Sequence, residues 1–423
     1  MEAQLEAMRR FDRPAAVVYP AFTLASYAVI RNLGERGVPV VALNPTTHPH
    51  MRSRYAVPMT TPAMAEAPEA FFRQLGAIAA ALPHGGVLYL MEDVYVYLAH
   101  KFRASLPANL HFPLMDDEAL AMSLDKRAMF AAAERAGVPL PWTLYPESLA
   151  DLEAARGDLP FPCVVKPLVS RFSFGDGPEA QAIEAFPRAF GGKCAGAATF
   201  DELQAIFEKT QALGIPVCVQ EMLEGPADRI YGVHLYADRQ QEMLGAAVGR
   251  KLRQVPGDFG TGTFCEVLRR DEALEYARRF VEETRYHGIG GIEFKEDPRT
   301  GVLKLIEINP RGVHWMGSAL LAGVELPYLK YRDLLGDPIR QEQTRFSGRW
   351  IDGKGDRRYF DMYRADRRSP YHVGAAAWAA SLLGASPAVL NWRDPLPGLL
   401  KLVPDDLGAK YLALKRRFSE EPA

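Results

Sequence analysis

Residues 301–315, GVLKLIEINPRGVHW, set a carboxylate, an amide and a guanidinium at the end of an apolar run. Strict alternation along a strand puts Leu303, Leu305, Glu307 and Asn309 on one face and Ile306 and Ile308 on the other. One face then begins apolar and ends polar, as a strand does when it leaves the core at the rim of a cleft. Upstream, GIGGIEFKEDPRTG (288–301) alternates Ile292 and Phe294 against Gly291, Glu293 and Lys295. The turn formers of EDPRTG make the two runs an antiparallel hairpin. With the turn centred near Thr300, Glu293 faces Glu307 at a Cβ separation of about 5 Å. Facing carboxylates repel unless a cation lies between them. The Asn309 carbonyl adds a third hard oxygen, and such a set suits Mg²⁺ shared with a substrate phosphate. The competing reading pairs Glu307 with Lys295 or Lys304 at a surface, but it leaves Asn309 and Arg311 on the same rim unexplained.

Lysines are the natural counterparts of phosphate. Lys166 ends the apolar run FPCVVKP, a poor place for an ammonium without a partner. Lys126 sits near a helix start, where an anion can also use free backbone amides. GRKLRQVPGDFGTG (249–262) sets Arg250, Lys251 and Arg253 beside glycine-rich backbone. Alternation groups Lys251 with Arg253 and turns Arg250 away as a solvated cation. In NPTTHPHMRSRY (44–55), His48, His50, Arg52 and Arg54 form either a carboxylate-binding loop or a solvated one.

The elements that must position these groups follow from periodicity. AAVVYP, FTLASYAVIRNLGERG and VPVVALNP (15–45, interrupted by Ala21) read as strand, helix and strand, a βαβ unit with a parallel sheet. The first turn lacks GxGxxG, so a dinucleotide fingerprint is absent. Residues 85–102 give a further strand and helix, with Glu92 and Asp93 at their turn. SLDKRAMFAAAERAG opens a helix that Ser123 can cap and Gly137 ends. Strands are expected at 161–170, 216–226, 230–238 and 242–254, and helices at 200–214 and 271–288.

The 423 residues call for two to four domains, and 48% hydrophobic with 24% charged content is that of a folded, soluble chain. A net charge of −2 without basic blocks gives no sign of a nucleic-acid partner, and none is expected. Cys163, Cys194, Cys218 and Cys265 lack CxxC pairing and fit a reducing, cytoplasmic compartment. The uncharged run 369–392 is expected to form a buried or interface helix, with membrane association the minority reading.

The order of a βαβ domain, SLDK…AGVPLP, VVKP, VQEMLEG and GGIEF…KLIEINPR resembles the ATP-grasp superfamily over roughly residues 14–340. Within it, the chain is most similar to D-aspartate-ligase-like carboligases. The resemblance implies α/β and α+β architecture: an N-terminal parallel domain (1–122), a small lid lobe (123–215), a large lobe with the metal site (216–340) and a C-terminal extension (341–423). That extension is expected to shape the substrate pocket or a homodimer contact. The resemblance also implies that Lys126 and Lys166 hold ATP phosphates and that Gln220, Glu221, Met222 and Leu223 form the adenine hinge. Backbone groups of Glu221 and Leu223 would hold the base, and Glu224 or Asp228 the ribose. Glu293, Glu307 and Asn309 would bind Mg²⁺, with Mn²⁺ as a substitute. Arg311, Lys251 and Arg253 would be the catalytic cations. The implied reaction joins a carboxylic acid to an amine, an amino acid or peptide, through an acyl-phosphate with release of ADP. A carboxylase or phosphotransferase, or a nucleotide-binding module without turnover, is the alternative. The family's dense glycine lid is replaced here by LVSRFSFGDG and AFGGKCAG.

Overall fold

The computed structural model describes residues 1–168 and 185–402, so LVSRFSFGDG lies, but for its first residue, outside the described residues. Two compact units divide the chain. The first takes Met1–Tyr89, Ser105–His111 and the chain from Pro387 onward. Its sheet has the order β3-β2-β1-β4-β5, with β1 (Ala15–Tyr19), β2 (Val40–Asn44), β3 (Ala56–Thr60), β4 (Gly86–Leu90) and β5 (Leu110–His111). The β1–β2, β2–β3 and β4–β5 pairs are parallel. Every residue of β1, β2 and β4 is buried, the continuous apolar strand expected when helices cover both faces. Helix Leu24–Glu35, capped by the Thr23 side chain, makes the β1–β2 crossover. His50, one of the four residues of the proposed carboxylate loop, is instead fully buried and stacks on Tyr27 at 4.8 Å.

The second unit takes Leu90–Ala104 and Phe112–Ser386. It holds a four-stranded sheet, β6-β9-β7-β8, built from β6 (Thr143–Leu144), β7 (Cys163–Pro167), β8 (Ala195–Ala197) and β9 (Val217–Glu221). Its seven-stranded sheet has the order β14-β13-β10-β11-β12-β15-β16. These strands are β10 (Ile230–Ala237), β11 (Met243–Val255), β12 (Thr261–Val267), β13 (Gly288–Glu296), β14 (Leu303–Asn309), β15 (Arg349–Ile351) and β16 (Ala385–Pro387). The pairs from β14 through β15 are antiparallel. Helix Asp271–Thr284 turns Ala273, Ala277, Phe280, Val281 and Thr284 inward.

Three expectations change. Helix Lys126–Arg135 is capped by Asp125, whose side chain accepts from the Arg127 and Ala128 amides, because Ser123 belongs to the preceding helix Asp117–Leu124. The uncharged run forms helix Ala375–Leu382, with no buried residue, and the short β16, so its apolar composition does not make it a core helix. Among the described residues no helix is long and apolar enough to cross a membrane. The third change is the most consequential. Glu293 pairs with Glu307 but Phe294 pairs with Leu305, so Ile306 is an extra residue in β14. A bulge reverses the side-chain alternation beyond it. Leu303, Leu305 and Ile308 therefore share the buried face, and Glu307 and Asn309 share the other. The carboxylate and amide never interrupt the apolar face.

Candidate functional site

A cleft of about 630 Å³ within the second unit is lined by Lys126, Lys166, Lys193, Glu293, Glu307, Asn309 and Arg311, among others. The hairpin supplies its acidic floor, with Glu293 directly across from Glu307. Two carboxylates facing each other across a hairpin repel unless other charges compensate them. One of them is already compensated: Lys251 Nζ donates to Glu293 Oε2 at 2.8 Å, with both side chains nearly inaccessible. Trp315 Nε1 lies 3.4 Å from Glu293 Oε1. The indole fits because Gly232 and Gly249, paired across β10 and β11, leave it room. A Cβ on either glycine would come within 2.5 or 2.7 Å of the ring. Glu307, by contrast, is exposed in the cleft and makes no hydrogen bond or ion pair among the described residues. Lys304 turns to Glu221 and Asp297, and Lys295 donates to the Gly225 carbonyl at 3.0 Å, so neither neutralises Glu307. The competing surface pairing is absent.

Among the described residues no group of three or more His, Cys, Asp or Glu forms a cage for a metal. Two carboxylates and the Asn309 carbonyl instead fit a hard cation that takes its remaining oxygens from a phosphate ligand. Asn309 Oδ1 also accepts from Arg311 at 3.3 Å. Arg311 is fixed from its other side by Asp93, Nε to Oδ1 at 2.9 Å. Asp93 opens helix Asp93–Lys101, and the preceding Glu92 has its carboxyl raised by burial.

Lys166 donates to Gln220 Oε1 at 2.7 Å, and Gln220 donates on to Thr143 Oγ1 at 3.0 Å. That chain positions an ammonium at the end of β7. Lys126 is the first residue of its helix, and its amide bonds the Leu168 carbonyl at 2.8 Å. Gln220 to Glu224 line the cleft as a group. The Glu221 and Met222 amides are taken by the Trp142 and Pro162 carbonyls, whereas the Leu223 amide makes no such bond among the described residues. Burial, with Lys166 and Lys251 nearby, pushes the Lys295 ammonium down to about 8 against the pull of Asp258.

Two expected site residues stand elsewhere. Arg253 does not line the cleft; it bonds Asp356 in two places at 2.7 and 2.8 Å and stacks on Phe264. The cause is again a bulge, since Lys251 pairs with Cys265 but Arg253 with Phe264. The extra Leu252 sends Lys251 and Arg253 to opposite faces. Asp228, in the turn Ala227–Arg229, also lies off the cleft, while Glu224 is on it. Sequence reasoning missed Lys193, His314, Trp315 and Tyr371, all cleft-lining. Lys193 lies in AFGGKCAG, already read as an altered lid, so a signal for it was present.

A model of the family described as "ATP-grasp in the biosynthetic pathway with Ter operon" matches residues 216–352, which contain the whole acidic hairpin. Solved structures carry the same fold over about four-fifths of the chain. The biotin carboxylase domain of Hydrogenobacter thermophilus 2-oxoglutarate carboxylase, solved with MgADP and bicarbonate, has a TM-score of 0.60 at 16% identity, covering 80% of this chain and 74% of its own. The fold of this chain is thus that of the ATP-grasp structures, and residues 216–352 match an ATP-grasp family. An L-amino acid ligase from Bacillus licheniformis superposes on this chain with a TM-score of 0.55 at 15% identity, over 78% of this chain and 75% of its own. The D-aspartate ligase of Enterococcus faecium is 23% identical over 234 residues, 53% of each chain. The chain thus spans about half the length of the curated relative it matches.

Proposed function

We propose that this protein is an ATP-grasp enzyme, an ADP-forming ligase that joins a carboxylic acid to an amine through an acyl-phosphate. The observation that carries the reading is the cleft in which Glu307, without a protein partner among the described residues, faces Glu293 beside Asn309 and Arg311. A site that only held a nucleotide would have no need of an uncompensated carboxylate opposite another. The matched family and the names of the relatives, a D-aspartate ligase and an L-amino acid ligase, support the same direction.

Glu293, Glu307 and Asn309 would hold Mg²⁺, which when bound neutralises phosphate charge. Lys126 and Lys166 bind the ATP phosphates, and the 220–224 segment holds the base, with the Leu223 amide free to take part. The acid's carboxylate attacks the γ-phosphorus, and ADP leaves. Arg311, held rigid by Asp93, then steadies the acyl-phosphate while the amine displaces phosphate. Such chemistry depends on positioning and charge neutralisation, so no Ser or Cys nucleophile is needed.

The test supplies ATP, Mg²⁺, pools of amino acids and hydroxylamine. ADP together with an amino-acid hydroxamate is the expected result. AMP and pyrophosphate in their place would mean adenylation of the acid, and the reading would fall.

A further inference from the structure

Between Val313 and Trp315, both buried, His314 lines the cleft three residues after Arg311. Its Nε2 lies 3.1 Å from Asp352 Oδ2. We propose that His314 accepts the proton of the attacking amine and that Asp352 is the positioning residue that holds its imidazole. This rests on the ligase reading above.

Asp352 is placed with unusual care for a surface aspartate. It follows β15, whose Ile351 pairs with Phe264 of β12, and its amide bonds the Thr263 carbonyl at 2.8 Å. It occupies the N-cap position of helix Gly353–Tyr363, where an aspartate ordinarily accepts from the helix's first amides. Here its side chain makes no capping bond and reaches His314 instead. Gly355 leaves the space: a Cβ there would lie 2.5 Å from Asp352 Oδ2. A carboxylate only accepts, so Nε2 carries the hydrogen, and in the neutral imidazole Nδ1 keeps its lone pair. The same division of labour orients the histidine in acyl-transfer triads.

Arg311 would steady the acyl-phosphate, so a base three residues along is at hand for the nucleophile. The amine nitrogen attacks the acyl carbon and a C–N bond forms. The C–O bond to phosphorus-bearing oxygen breaks, and phosphate leaves with that electron pair. The N–H proton released in this step passes to His314 Nδ1. Arg311, Asp93, Lys193 and His314 all act electrostatically on the Glu92 carboxyl.

Hydroxylamine separates this step from the rest, because it is neutral at assay pH and attacks acyl-phosphates without a base. Wild type, His314→Ala and Asp352→Asn are compared for amide formation, with the amino-acid pair that gives wild-type ADP release, and for hydroxamate formation. The ratio of amide rate to hydroxamate rate should fall at least about tenfold in both variants, within the range typical of a lost general base. Added imidazole should restore part of the amide rate to His314→Ala and none to Asp352→Asn. A merely structural role would lower both rates together, leave the ratio at the wild-type value and show no imidazole rescue, and that result overturns the proposal alone. Wild type yielding neither amide nor hydroxamate would overturn the ligase reading and this one with it.

Discussion

Glu307 and Glu293 face each other across one hairpin, yet only Glu293 is held by protein partners, Lys251 and Trp315. On the proposed reading the difference gives them different tasks: Glu293 is prearranged, and Glu307 would take a cation. Glu307→Gln keeps the shape and removes the charge. Without ligand its melting midpoint should hold or rise, because a repulsion disappears. ADP release should fall by at least about 10²-fold, and excess Mg²⁺ or Mn²⁺ should recover only part of it. Wild-type turnover and metal dependence in the variant would reduce Glu307 to a structural carboxylate. Turn chemistry made the hairpin legible, but Glu293 meets Glu307 only because the extra Ile306 shifts the register; the pairing nearer the turn, Lys295 with Lys304 and Glu296 with Leu303, would otherwise set Glu293 opposite Ile306. Roles of side chains that act through others, such as Asp93 on Arg311 or Gln220 on Lys166, were not legible, since those partners are far away in sequence.

At the scale of elements, two bulges decide which side chains reach the cleft. Each inserts one residue, Ile306 in β14 and Leu252 in β11, and each reverses faces. Strands, helices and the crossover were readable from period alone, but period cannot count an extra residue whose partner strand is unknown. Hence the expected pairing of Lys251 with Arg253 failed while the expected pairing of Glu293 with Glu307 held. The same sheet carries a testable device. The Gly232–Gly249 pair makes a slot for Trp315, whose Nε1 reaches Glu293. Trp315→Phe fills most of the slot but removes the donor. The Mg²⁺ concentration for half-maximal ADP release should rise by roughly tenfold or more, as when other supports of a metal ligand are lost. Gly232→Ala, which pushes on the ring itself, should act in the same direction. An unchanged metal requirement in Trp315→Phe would show that Lys251 suffices to orient Glu293.

For the molecule as a whole, the stretch beyond residue 340 was readable only as polar and aromatic, because three-residue strands such as β15 carry no period. In the structure it extends the seven-stranded sheet through β15 and β16 and brings Pro370 and Tyr371 to the cleft. Asp356 ties it down. Fully buried, it accepts from Arg253, from Thr263 Oγ1 at 3.2 Å and from Trp378 Nε1 at 2.8 Å. Trp378 stacks on Phe360 at 4.6 Å, so one carboxylate joins β11, β12 and two helices of the extension. Replacing a buried ion pair by apolar groups is often nearly neutral, but removing one partner strands a buried charge. Asp356→Ala should therefore cost roughly 3–5 kcal/mol, read as a lower denaturation midpoint, and Arg253→Met added to it should recover much of the loss. Asp356 lies one helical turn from Asp352, whose carbonyl accepts its amide at 2.8 Å. Loosening that turn should also weaken amide formation more than hydroxamate formation in Asp356→Ala. If the single variant melts like wild type, the extension is held by its strands alone, and Asp356 is not what fastens it to the sheet.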